Sequence, residues 1–179
     1  RELTIQVVGS LGTLADDVFR AGVSEAARLW SEVCDLEFSL VEQGGDLILD
    51  TGVIDGPGRT LAYFELPPSD GFAGRLKGRA DDSERWNQTI PLVPVICHEL
   101  GHGLGLGHTN APRQLMNPTL SQIAKPQPAW DVPQVIARYG PPKTPPPSPA
   151  PSDGWSELVA GIRYRTPSRG GGVVELDFK

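Results

Sequence analysis

The chain has 179 residues and a formal net charge of −6, from 16 Lys and Arg against 22 Asp and Glu, a length that suits one full domain with an appendage. This acidic balance, with a sequence pI near 5.0, repels phosphate backbones and argues against nucleic acid as a partner. Apolar residues are 39% and charged residues 21%, a globular composition; no apolar run reaches the roughly 20 residues of a membrane span, and two cysteines exclude a disulfide scaffold.

The chain opens on Arg1 with no visible signal segment, which reads as a removed leader or a fragment. Leu3 to Val8 is β-branched and partly alternating, a strand. Thr13 is expected to cap a helix that runs to about Val33, with Leu14, Val18, Ala21, Leu29 and Val33 at helical spacing. Glu37 to Val41 and Asp46 to Asp50 read as strands. Asp55-Gly56-Pro57-Gly58 is a turn, Thr60 to Leu66 a further strand, and Pro67 to Arg79 a loop. A helix is expected to begin near Thr89 to Pro91 and to end by Gly105, since Thr caps well and Pro is tolerated in a first turn. A loop then reaches Ala129, and a last helix covers about Val132 to Tyr139. Residues 141–151 hold seven prolines in eleven and read as an extended spacer. Residues 152–179 are too few to fold alone and read as a tail or the start of a further module, with a strand after Gly172. The expected organisation is therefore a domain at 1–140, a linker at 141–151 and the tail.

All three histidines fall within eleven residues, as His98-Glu99-Leu100-Gly101-His102 and His108. On a helix, His98 and His102 are four apart and project from one face. Two neutral imidazoles there can meet one zinc ion at about 2.0–2.1 Å. Gly105 permits the positive φ of a sharp turn, so His108 can approach as the third ligand. Three neutral ligands leave an open position and the full charge of the ion, which acidify a bound water and polarise a carbonyl. Glu99, rotated by about 100° along the helix, is placed to take a proton from that water and pass it to a leaving amine. The chemistry is peptide hydrolysis by a zinc-dependent endopeptidase. Gly101 and Gly103 each cost about 1 kcal/mol against Ala inside a helix, so something other than helix propensity selects them.

The extended pattern HExxHxxGxxH resembles the metzincin signature, and the chain most resembles the matrixin family, the matrix-metalloproteinase type. Met116, the only methionine, follows His108 by eight residues within Gln114-Leu115-Met116-Asn117-Pro118, as in that family's methionine turn beneath the metal. The resemblance covers about residues 3–140. It implies an α+β catalytic domain: a twisted, mostly parallel sheet with an antiparallel edge strand, an active-site helix, a Met-turn and a C-terminal helix. It implies one calcium site from the carboxylates of Asp55, Asp81 and Glu84 and the carbonyls of Gly56, Gly58 and Thr60. Lys77 stands where a second calcium site would want an acid. Tyr63 and Arg79 stand where two histidines of the family's structural zinc would be, so no second zinc is expected. In the family an extended peptide or protein substrate adds to the edge strand, here at Leu61, Ala62 and Tyr63. A pocket of Pro94, Val95, His98, Pro118, Thr119 and Leu120 then favours a hydrophobic residue after the cut. An extracellular or particle-borne setting is expected, with no membrane partner. Cys34 and Cys97 are read as free thiols. Two other readings stand beside the peptidase: a non-catalytic, metal-retaining interaction module of a larger assembly, and a protease that acts once on its own precursor.

Overall fold

A computed structural model describes residues 1–68, 75–119 and 123–143 in full, and beyond them the backbone of three strands. The chain divides into two compact units, Arg1–Lys143 and Thr144–Lys179. Leu120 and residues 144–151 of the proline run lie outside the described residues.

The first unit contains a five-stranded sheet. Strand β1 (Glu2–Val8) buries Leu3, Ile5 and Val7 on alternate positions, the period-2 pattern of a strand with one face in the core. Helix α1 (Asp16–Ser31) follows, then β2 (Glu37–Val41), β3 (Leu47–Gly52), β4 (Ala62–Phe64) and β5 (Leu76–Asp81). The order across the sheet is β2-β1-β3-β5-β4. All neighbours are parallel except β4 on β5. Helix α2 (Leu92–Gly103) packs on α1, β4 and β5, and α3 (Asp131–Tyr139) closes the unit. No helix among the described residues is long and apolar enough to cross a membrane.

Two tryptophans anchor the core. Trp30 is fully buried and donates its indole N–H to the Cys97 carbonyl at 2.8 Å, tying α1 to α2. Trp86 is fully buried and donates to the Asp81 carbonyl at 2.8 Å, so each ring brings its one polar atom to a partner. Cys34 and Cys97 are buried and free, and burial pushes the Cys34 thiol up to about 12 and the Cys97 thiol higher still.

Four sequence expectations are corrected here. Thr13 is not the cap of α1: the helix starts at Asp16 after Ala15, while Thr13 Oγ1 donates to the Glu84 carbonyl at 3.0 Å, and the helix ends at Ser31. The expected loop at Pro67 to Arg79 gives way at Leu76 to strand β5, whose inward positions are Leu76, Gly78 and Ala80. The inward position 78 is a glycine because a Cβ there would stand 2.6 Å from Phe64 Cε2 and 2.7 Å from the Tyr63 carbonyl oxygen. The edge strand is shorter than Thr60 to Leu66 and pairs only over Ala62–Phe64. Helix α2 begins at Leu92, after Pro91 in an extended conformation, and Asn87 Oδ1 takes the Leu92 N–H at 3.1 Å, so neither Thr89 nor Pro91 supplies a side-chain cap.

The second unit contains β6 (Trp155–Val159), β7 (Ile162–Arg165) and β8 (Glu175–Phe178), an antiparallel sheet in that order. Strand β8 falls within the segment read as a strand after Gly172.

Candidate metal centre and substrate cleft

Helix α2 presents His98 and His102 one turn apart, and the chain then reverses. Gly105 takes a φ of +89°, the left-handed conformation that glycine adopts without strain. A Cβ there would also stand 2.8 Å from the Arg138 guanidinium carbon. The end of α2 is held by Tyr139, whose hydroxyl donates to the Leu104 carbonyl at 3.1 Å. The reversal brings His108 back to the helix. The three Nε2 atoms then lie 3.1 Å (His98 to His102), 3.2 Å (His98 to His108) and 3.1 Å (His102 to His108) apart.

The ring orientations follow from the other nitrogens. His98 Nδ1 sits 2.7 Å from the Leu115 carbonyl oxygen, and His102 Nδ1 2.8 Å from the Leu106 carbonyl oxygen. A carbonyl can only accept, so both Nδ1 atoms carry the proton and both Nε2 lone pairs point inward. Burial pushes His98 down to about 4 and lowers His102 as well, which keeps both rings neutral. The His98 and His102 lone pairs, facing each other at 3.1 Å, have no proton between them to share. A tetrahedral ion with metal–nitrogen distances of about 2.0–2.1 Å separates its nitrogens by about 3.3 Å, so the tripod fits zinc. Among the described residues, these histidines are the one group of three or more His, Cys, Asp or Glu side chains gathered as a metal site.

Glu99 lies beside the tripod and is 7% exposed. Its Oε2 is the one buried side-chain polar atom among the described residues without a hydrogen-bond partner. An unpartnered buried carboxylate oxygen is costly, and here burial pushes the carboxyl up to about 8. Glu99 is one of the residues that line the cleft beside the tripod.

Beneath the helix, a Cβ on Gly101 would collide with Met116 Sδ and stand 2.9 Å from the Trp30 ring, and one on Gly103 would lie 3.2 Å from both Leu47 and Phe64. The helix glycines are therefore where the Met116 sulfur and the sheet press closest. Met116 is fully buried.

A cleft of about 240 Å³ opens next to the tripod, lined by Arg59, Thr60, Leu61, Pro94, Val95, His98, Glu99, His108, Leu115, Asn117, Pro118, Thr119 and Ile123. It gathers Leu61, Pro94, Val95, Pro118 and Thr119 from the expected substrate residues, and adds Leu115 and Asn117 of the methionine-turn segment together with Arg59 and Ile123, which no motif marked. Ala62 and Tyr63 stand outside it. Strand β4 carries them at the sheet edge. Asp81 N–H donates to the Leu61 carbonyl and Glu65 N–H to the Lys77 carbonyl, each at 2.9 Å. In antiparallel pairing the intervening residues, Ala62 and Phe64, then turn their N–H and C=O groups to the open edge.

With this geometry the comparisons with known proteins agree. The matrixin family matches residues 1–139. The chain belongs to the matrixin family. It is 33% identical over 160 residues to stromelysin-1 of Equus caballus, covering 80% of this chain and 33% of that protein. It is 34% identical over 143 residues to interstitial collagenase of Sus scrofa, covering 73% of this chain and 30% of that protein. It is 34% identical over 132 residues to stromelysin-3 of Mus musculus, covering 65% and 26%. The chain thus spans about a quarter to a third of the length of these relatives. The five-stranded, mostly parallel sheet with one antiparallel edge strand and three helices is the α+β architecture expected of a matrixin.

The remaining matrixin positions behave differently. Asp81 is fully buried; its Oδ2 accepts from Ile54 N–H at 3.1 Å and Asp55 N–H at 3.2 Å, and its Oδ1 from Ser83 N–H at 2.8 Å and Ser83 Oγ at 2.5 Å. Burial raises this carboxyl, but the four bonds outweigh it and hold it below its ordinary value. Glu84 Oε1 accepts from Gly58 N–H at 2.6 Å. Asp55 accepts from the Thr60 N–H at 3.1 Å and hydroxyl at 2.7 Å. Gly56 and Gly58 bend the loop with positive φ. On the sheet, Arg79 forks onto Asp50 with both bonds at 2.8 Å and lies opposite Tyr63 in register.

Proposed function

We propose that this matrixin is a zinc endopeptidase whose ion is held by His98, His102 and His108. The observation that carries the reading is the tripod itself: three Nε2 atoms within 3.1–3.2 Å, two of them oriented by carbonyls behind, beside a buried carboxylate with an unpartnered oxygen. When bound, zinc supplies a Lewis acid that acidifies water and polarises the scissile carbonyl. Glu99 would take the proton from the attacking water as its carboxylate and deliver it to the leaving amine, the two-way transfer that one positioned carboxyl group can make. No covalent link to the chain forms.

The substrate lies extended along the open edge at Leu61, Ala62 and Tyr63, paired through the main-chain groups that Ala62 turns outward. Leu61, Val95, Leu115, Pro118 and Ile123 give the otherwise polar cleft an apolar side, against which a hydrophobic residue after the cut would rest. One calcium ion is proposed at the carboxylates of Asp55 and Glu84 and the carbonyls of Gly56, Gly58 and Thr60, oxygen donors of the hard kind calcium takes. Asp81 joins that set only by giving up one of its four loop bonds. Arg79, already forked onto Asp50, brings a cation to the place of a structural zinc, so one zinc per chain is proposed. Residues 1–140 form the peptidase domain, 141–151 a spacer, and 152–179 the start of a further module. The setting, by its family, is extracellular.

The test is digestion of a mixed peptide library by the zinc-loaded full chain, read by mass spectrometry. The expected result is cleavage before hydrophobic residues, abolished by a zinc chelator. Folded, zinc-loaded protein that cuts nothing would favour the interaction module.

A further inference from the structure

The Leu115–Met116 peptide group lies between a buried carboxylate and a proposed zinc ligand. Its carbonyl oxygen is 2.7 Å from His98 Nδ1, and its N–H donates to Asp131 Oδ1 at 3.2 Å. Asp131 Oδ2 accepts from Leu115 N–H at 2.7 Å and from Gln127 N–H at 2.8 Å. Asp131 is fully buried and opens α3. All three of its bonds are acceptances from backbone N–H groups.

Hydrogen bonds in series polarise one another. A carboxylate on the N–H of a peptide draws its electrons toward the oxygen at the other end, so the Leu115 carbonyl becomes a stronger acceptor. A stronger acceptor behind a ligating imidazole fixes its tautomer and orientation and raises its basicity. His102 is the internal contrast. Its Nδ1 also meets a carbonyl, that of Leu106 at 2.8 Å. The matching N–H belongs to Gly107, which is exposed, and among the described residues no carboxylate accepts from it. The two helical histidines are thus supported by like geometry with unlike electrostatics.

We propose that Asp131 is a positioning residue for the metal centre, acting through the Leu115–Met116 peptide to orient His98 and to make it a stronger donor than His102. This rests on the zinc reading above. The experiment is proton NMR of the zinc-loaded full chain, following the Nδ1–H resonances of His98 and His102 in the unaltered protein and in Asp131→Asn. Zinc affinity is measured by competition alongside. In the unaltered protein the His98 resonance is expected farther downfield than that of His102. In Asp131→Asn it moves upfield while His102 stays in place, and zinc affinity falls by about 10–100-fold. A merely structural role would move both resonances together or neither. Equal resonances in the unaltered, zinc-loaded chain would overturn the inference alone, and this comparison decides the matter if the variant does not fold. A chain that takes up no zinc would overturn the metal reading and this inference with it.

Discussion

The histidine tripod and the carboxylates of Asp55, Asp81 and Glu84 are both groups of a kind that binds metals, and the chain treats them in opposite ways. In the tripod every backbone bond points away from the centre: carbonyls of Leu115 and Leu106 take the Nδ1 protons, and the Nε2 lone pairs are left facing one another. At the carboxylates the chain answers its own acceptors. Asp81 takes four protein donors, and Asp55 and Glu84 each accept from the chain as well. A carboxylate has about four lone-pair sites, so Asp81 is filled. The difference teaches how a site can be left open to an ion or closed by the chain itself: donors left facing one another can take an ion, whereas donors already bonded hold their segment without one.

The strongest way to break that contrast is to remove a tripod member. His108→Ala is expected to weaken zinc binding by more than the roughly 10–100-fold that losing a supporting hydrogen bond costs, measured by competition with a chelator. Unchanged affinity would mean that the ion sits elsewhere. A second change probes the support beneath the tripod. Gly101→Ala normally favours a helix, but here the added methyl meets Met116 Sδ and Trp30, and overpacking of about 1–3 kcal/mol should outweigh the gain. Urea unfolding checks the sign.

The carboxylate side is sharpened by Asp81→Asn, which leaves buried N–H donors facing an amide and should cost about 1–3 kcal/mol. The self-closing account expects that loss in calcium and in chelator alike, whereas Glu84→Gln should lower only the calcium-dependent part of the melting temperature. The same carboxyl gives a pH dependence. Its folded-state value lies below the ordinary one, so its contribution is present above the unfolded value near 3.9 and is lost as pH falls through the folded value. Acid unfolding of Asp81→Asn should therefore be flatter over that window. The smallest effect is expected on the sheet. Asp50 and Arg79 side chains are 35% and 37% exposed, and Asp50→Asn should cost no more than about 1 kcal/mol, as solvent-screened pairs do.

How far the sequence could be read follows from how local each determinant is. Strand β1, helix α1 and the His98–His108 pattern were legible because spacing alone carries them. Strand β5 was not: LKGRAD shows only Leu76 and Ala80 as apolar inward residues, since Gly78 makes room for a Phe64 ring that comes from another strand. Thr13 resembles a cap, but its partner Glu84 lies 71 residues away. Asp131 looks like an ordinary acid in a first helical turn, and only the fold reveals that it bonds the peptide behind His98. Arg59 and Asn117 reach the cleft by loop geometry that no periodicity encodes.

The central claim, an endopeptidase in which Glu99 moves the proton beside a tripod-held zinc, is tested most directly by one comparison. The 179-residue chain and its Glu99→Ala variant, each carrying one zinc, are assayed against the same peptide under saturating conditions. The account predicts that both bind zinc equally and that the variant loses at least about 10²–10⁴-fold in rate. Equal cleavage by the two proteins would contradict it.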